Sequence, residues 1–164
     1  MKRLSLMLII LVSLHLQARA SQSGDDLFYK KTIDLGLSSG TFNNVNYTEV
    51  DLGLNLYLSP NLDIRNAVFN RIASEDQNFF GLDTSVRGVY SSLPANFGFT
   101  TFAGPGARIP SKGSVTPFAE GGLILSIAGF GVGAGAKLIA NSWVNKGMQN
   151  ETQVFIILAG SGAL

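Results

Sequence analysis

The residues able to do chemistry in this chain are few, and their types exclude more than they offer. The 164 residues contain no Cys and a single His, His15, which lies in an apolar N-terminal stretch. Disulfide, thiolate and cysteine–zinc chemistry are therefore closed. Imidazole is the usual general base near neutral pH, so a Ser nucleophile would need a Lys or a carboxylate instead. Lys137 with Ser85 or Ser38 is the pairing on offer, and no motif marks it, so no enzymatic activity is expected. The run Gly131-Val132-Gly133-Ala134-Gly135-Ala136 fits a dinucleotide fingerprint in letters only. It lacks the strand–turn–helix context and the later acidic residue that give that motif meaning, and reads as a glycine-rich strand. Asp25-Asp26 and Glu75-Asp76 read as solvated charges. No metal or cofactor is expected.

What remains is a set of charges with regular spacing: the acids Asp34, Glu49, Asp51, Asp83 and Glu120, and the bases Arg65, Arg87, Arg108 and Lys137. Each falls in a segment where apolar and polar residues alternate. In 49–58, Val50, Leu52, Leu54, Leu56 and Leu58 oppose Glu49, Asp51, Gly53, Asn55 and Tyr57. In 32–38, Ile33, Leu35 and Leu37 oppose Thr32, Asp34, Gly36 and Ser38. Period-two alternation is the signature of a strand with two unlike faces. It predicts eight strands, at 30–39, 47–58, 61–73, 79–91, 96–105, 114–126, 129–141 and 151–162. Asn66 and Asn70 fall on the apolar face of the third, which suggests a bulge there. The last carries apolar residues on both faces.

The connections alternate in length. Those at 39–46, 73–78, 106–113 and 141–150 read as the longer or more polar set, and those at 59–61, 92–95 and 127–128 as short. An antiparallel up-and-down meander with turns at one end and loops at the other has this pattern. The charge-free stretch 121–136 competes as a helix. Six of its sixteen residues are Gly, each costing about 1 kcal/mol in a helix interior, and Gly129, Gly131, Gly133 and Gly135 recur at strand spacing. It reads as two strands joined near 126–129.

Composition agrees. The chain is 46% hydrophobic, only 14% charged, and holds 19 Gly, against about 25% charged in an average chain. That excludes a disordered polar chain, a coiled coil and a basic nucleic-acid binder. At the N-terminus, Lys2 and Arg3 precede the apolar stretch 4–16, and Ala18-Arg19-Ala20 supplies a small-residue cleavage pattern. Residues 1–20 are expected to be a cleaved export signal, too short for a comfortable membrane helix. Residues 21–29 follow as a periplasmic tail, with the barrel over 30–164.

Alternation does not say which face points outward. A soluble carrier of lipocalin type puts the apolar face inside, and a membrane barrel puts it outside. The near-balance of acids and bases on the polar face, its glycines and the absence of charge on the other face all favour apolar-outward. Ten residues at about 3.3 Å each, tilted about 45°, span about 23 Å, close to the apolar band of a membrane barrel.

On these features the mature chain resembles the small eight-stranded outer-membrane barrels of Gram-negative bacteria, of the OmpA, OmpX and OmpW type. It differs from them in ending Ser161-Gly162-Ala163-Leu164, without a terminal aromatic residue. The reading is an all-β, eight-stranded antiparallel transmembrane barrel in the outer membrane, a monomer whose partners are outer-membrane lipid and an extracellular contact through the loops around Asn43, Asp76, Lys112 and Trp143. Its interior charges are expected to pair and plug the lumen, because an unpaired buried charge costs several kcal/mol. The alternatives are a barrel passing or binding a small or apolar solute, and a soluble periplasmic carrier.

Overall fold

The computed structural model describes residues 31–73, 78–92, 97–127 and 130–160. The expected export signal, the tail at 21–29 and the last four residues lie outside them. Eight strands form: β1 (Lys31–Phe42), β2 (Val45–Ser59), β3 (Leu62–Ala73), β4 (Phe79–Ser92), β5 (Phe97–Pro110), β6 (Thr116–Ile127), β7 (Phe130–Ile139) and β8 (Glu151–Gly160). Each pairs antiparallel with its chain neighbour, and β8 pairs with β1, closing the barrel. Closure leaves no unpaired strand edge. The charge-free stretch 121–136 is two strands, β6 and β7, as its glycine spacing requires.

Two connections expected to be long are not. β1 runs on to Phe42 and β2 begins at Val45, so the first connection is only Asn43-Asn44. Both have positive φ, 48° and 63°, the conformation of a type I′ hairpin turn, which Asn tolerates better than most residues. β5 likewise runs through Gly106 and Arg108 to Pro110, leaving only 111–115 as the loop. The length contrast survives elsewhere. The long connection from Ala140 to Asn150 carries one helical turn, α1 (Asn141–Val144). The expected bulge in β3 is absent. β3 alternates without interruption, with Asp63, Arg65, Ala67, Phe69 and Arg71 inward and Asn66 and Asn70 outward. The register shift lies instead in β2, between Tyr57 and Ser59.

The strands are strongly staggered. Ladder partners of Asp34 followed one way are Gly53, Ala67, Asp83 and Arg108. Followed the other way they are Ala159, Gly131, Ser126 and Gly98. The two routes reach β5 ten residues apart, at Arg108 and Gly98. In a closed sheet that stagger and the strand tilt are one geometric fact. It brings residues far apart along the strands to one height in the lumen.

Candidate functional site

The polar face of the alternation points inward. Asp34, Glu49, Arg65, Asp83, Arg87, Arg108, Glu120 and Lys137 are all buried, and Asp51 nearly so. All nine residues expected in the lumen therefore share one interior. Three more join them that the sequence reading left out: Asp63, Arg71 and Glu151. The assumed bulge obscured the alternation that carries Arg71 inward with Arg65. Glu151 shares parity with Gln153 and Phe155, and it was hidden because the strand expected at 151–162 carries apolar residues on both faces.

The twelve charges form a layered network. Near the loop end, Glu151 accepts hydrogen bonds from Arg71 (2.7 Å), the Tyr47 hydroxyl (2.8 Å) and the Asn141 amide (2.7 Å). The last of these ties α1 to the barrel mouth. Arg71 also reaches Glu49 at 2.6 Å, and its guanidinium lies between the rings of Tyr47 (3.6 Å) and Phe79 (4.6 Å). Arg108 bridges two carboxylates bidentately, Glu49 at 2.9 and 2.9 Å and Asp83 at 2.9 and 2.7 Å. Lys137 adds a bond to Asp83 at 2.7 Å.

Deeper in the barrel, Arg87 grips Asp63 at 2.9 and 2.7 Å and reaches the Asn55 carbonyl oxygen at 2.6 Å. Asn55 donates to Asp34 at 2.7 Å. Arg65 reaches Asp34 at 2.6 Å and also pairs with Asp51. Four cations lie over aromatic rings: Arg71 as above, Arg108 over Phe69 (4.1 Å), Arg87 over Phe102 (4.6 Å) and Lys137 over Phe118 (4.7 Å). Desolvated guanidinium on a ring face gains about 2 kcal/mol. Bidentate pairing offsets much of the cost of removing each charge from water.

Towards the turn end the lumen changes character. Val89, Phe102, Phe155 and Ile157 form a buried apolar cluster, with Tyr57, Ile124 and Ala159 packed against it. Phe102 and Phe155 stack with centroids 6.3 Å apart. Glycines in the wall make room for the rings: a Cβ on Gly122 would lie 2.7 Å from the Phe102 ring, and one on Gly81 would lie 2.7 Å from Phe69. The lumen thus holds a polar layer above an apolar one.

Among the described residues, Lys137 makes no hydrogen bond to Ser85 or Ser38, although Ser38 and Lys137 line one small cavity. Ser85 donates to Glu120 at 2.6 Å instead, and both are buried. Ser38 is buried as well.

The outer wall is the reverse of the interior. Leu35, Leu37, Leu52, Val86, Leu123, Leu125, Val132, Val154, Ile156 and Leu158 are all exposed. Among the described strand residues, the only charge not buried in the lumen is Lys31, at the first position of β1. Tyr90, Phe97, Phe99 and Phe130 are exposed near the turn end, with Phe80 and Trp143 towards the loop end. Tyr47, Tyr57 and Phe79 point inward.

No protein-family model matches the chain, and no curated protein matches it by sequence. Solved structures do match in fold. One is the outer-membrane enzyme PagL, at 14% identity and a TM-score of 0.57, covering 77% of this chain and 97% of that one. A de novo designed transmembrane β-barrel matches at 15% identity and 0.56, covering 79% and 93%. Neisserial surface protein A matches at 6% identity and 0.52, covering 82% and 97%. The fold shared with these proteins is the small eight-stranded antiparallel up-and-down barrel of the outer-membrane type. Identities this low carry the fold and nothing of activity.

Proposed function

We propose that this protein is an integral outer-membrane barrel without enzymatic activity, closed along its axis, that serves the envelope as a structural element or through contacts made by its loops. The observation that carries this reading is the pairing of an aliphatic, nearly charge-free outer wall with a lumen occupied by bonded charges and stacked rings. In water such a wall would be one continuous apolar patch, far beyond what soluble monomers expose. In lipid it is the favourable surface, with aromatic residues at the interfaces. No described helix is long and apolar enough to cross a membrane. The absence of any His beyond His15 supports the non-enzymatic reading.

The loop end supplies the contact surface. Trp143 is 80% exposed on α1, with Lys146 on the same connection and Lys112 on the one between β5 and β6. Cell fractionation with gel migration before and after boiling tests the proposal. A membrane barrel stays with the outer membrane and changes mobility on heating. Release by osmotic shock would overturn it in favour of a soluble carrier.

A further inference from the structure

The rim at the loop end is basic on one side. The connections 111–115 and 140–150 flank the β6–β7 hairpin, and they carry Lys112 and Lys146, both exposed. Among the described residues no acid at that end is exposed, because Glu49 and Glu151 are buried against Arg71 and Arg108. The acidic pair Glu75-Asp76 lies outside the described residues, in the β3–β4 connection, and β3–β4 stands opposite β7–β8 in the strand order. Neither lysine makes an ion pair or hydrogen bond among the described residues, and the Trp143 ring has no partner there either.

The exposure of Trp143 is built into the fold. Its helical turn is fastened at several points. The Ala140 N–H donates to the Pro117 carbonyl oxygen at 2.9 Å, which docks the connection on β6. The Asn141 amide donates to Glu151 at 2.7 Å and to the Gln149 carbonyl oxygen at 3.2 Å. The Ser142 N–H and hydroxyl both donate to the Asn150 side-chain oxygen, at 3.1 and 2.8 Å. A fixed, exposed aromatic ring beside an exposed Val144 marks a contact surface. That surface continues the lipid-facing wall: Val115 just before β6 and Leu138 near the end of β7 are exposed with the outward parity of their strands. Apolar wall therefore leads up to Trp143, and the two lysines stand at the same rim. Tryptophan rings favour the headgroup level of a bilayer, and lysines reach from there to anionic headgroups.

We propose that the rim made by 111–115 and α1 docks a lipid with an anionic phosphate headgroup, in the leaflet that the loop end faces. Lys112 and Lys146 meet the phosphate, and Trp143 and Val144 lie against the border between headgroup and acyl chains. An acidic protein segment would satisfy the lysines without using the continuity of the patch with the lipid-facing wall. The inference rests on the membrane-barrel reading above and names a partner for its loops. Heat-modifiable migration tests that reading, whereas the Trp143 environment tests the docking, so a barrel that passes the first can still fail the second.

Trp143 is the only tryptophan in the chain, so its fluorescence reports on the patch directly. The experiment compares the protein folded into phosphatidylcholine vesicles with the protein in vesicles containing increasing phosphatidylglycerol. The expected result is a blue shift of Trp143 emission, and stronger quenching by lipids brominated near the headgroup, as the anionic fraction rises. High salt should reduce the effect, because exposed charges are screened. A lysine near an anionic leaflet is worth about fivefold in lipid preference. Lys112→Gln and Lys146→Gln should each need more anionic lipid for the same shift, and the double variant should lose the dependence. Lys31→Gln at the turn end should retain it. Emission of a water-exposed ring in both kinds of vesicle would overturn the proposal and leave the patch to a protein partner. A shift unchanged in the double lysine variant would also overturn it. So would the same shift produced by inorganic phosphate in phosphatidylcholine vesicles, which would make the rim a free-anion site. Failure to insert into either vesicle would overturn the barrel reading and this inference together.

Discussion

Phe102 on β5 and Phe155 on β8 stack at 6.3 Å with their planes 15° apart, bridging the lumen between strands that are not neighbours in the sheet. The stack lies beneath the ion-pair layer and joins Val89 and Ile157 in one buried cluster. The barrel is therefore closed twice, by charge and by rings. In planar bilayers the wild-type protein is expected to pass no porin-sized current. Arg87→Ala should stay closed, because the stack persists. Phe102→Ala combined with Phe155→Ala and Arg87→Ala should leak. Steady wild-type conductance that Arg87→Ala leaves unchanged would contradict a plugged lumen.

The Arg87–Asp63 pair is bidentate and nearly fully buried. Removing one partner strands the other charge, and such losses cost about 3–5 kcal/mol. Asp63→Asn and Arg87→Gln should each lower the unfolding midpoint sharply. The double variant should cost less than the two combined, since neither charge is then orphaned. Denaturant titration of all four proteins in one detergent measures the coupling.

Glycines on the two faces of the wall should respond unequally. A Cβ on Gly122 would stand 2.7 Å from both the Ala134 carbonyl oxygen and the Phe102 ring, whereas one on Gly88 would meet only the Ala103 carbonyl oxygen at 3.7 Å. Gly122→Ala is expected to destabilise by about 1–3 kcal/mol, the usual cost of overpacking. Gly88→Ala should be close to neutral. Unfolding midpoints of the two variants make the comparison.

Leu52 lies in the middle of β2, 48% exposed on the outer wall. In a bilayer, Leu52→Arg should cost about 2–4 kcal/mol, the penalty for a cation near the midplane of a lipid-facing barrel wall. On a water-facing wall the same change would be neutral or favourable. Folding yield and reversible unfolding in lipid vesicles separate the two outcomes.

The short turn gives a local test. Asn43 and Asn44 both hold positive φ, which β-branched residues resist strongly. Asn43→Val should destabilise the first hairpin, and Asn44→Gly should be tolerated or mildly stabilising. Heat-modifiability midpoints would register both.

How much of this was legible in the chain depends on the range of the interaction. Alternation is local: Glu49, Asp51, Gly53, Asn55 and Tyr57 share a face whatever lies around them, because side chains in a strand repeat every two residues. The sequence by itself therefore determined the strand number, the polar face and nine of the twelve lumen charges. It also determined that 121–136 would break into two strands, since glycine spacing is a local property too. Where local signals conflicted it erred. Asn66 and Asn70 suggested a bulge in β3, and the polar run 39–46 suggested a loop, yet ladder hydrogen bonds to β8 and β2 carry β1 through to Phe42. The tertiary structure alone decided who meets whom inside. Arg108 reaches Glu49 and Arg71 reaches Glu151 because the closed, staggered sheet sets distant strand positions at one height. No spacing in the chain encodes that stagger; it exists only once β8 has paired with β1.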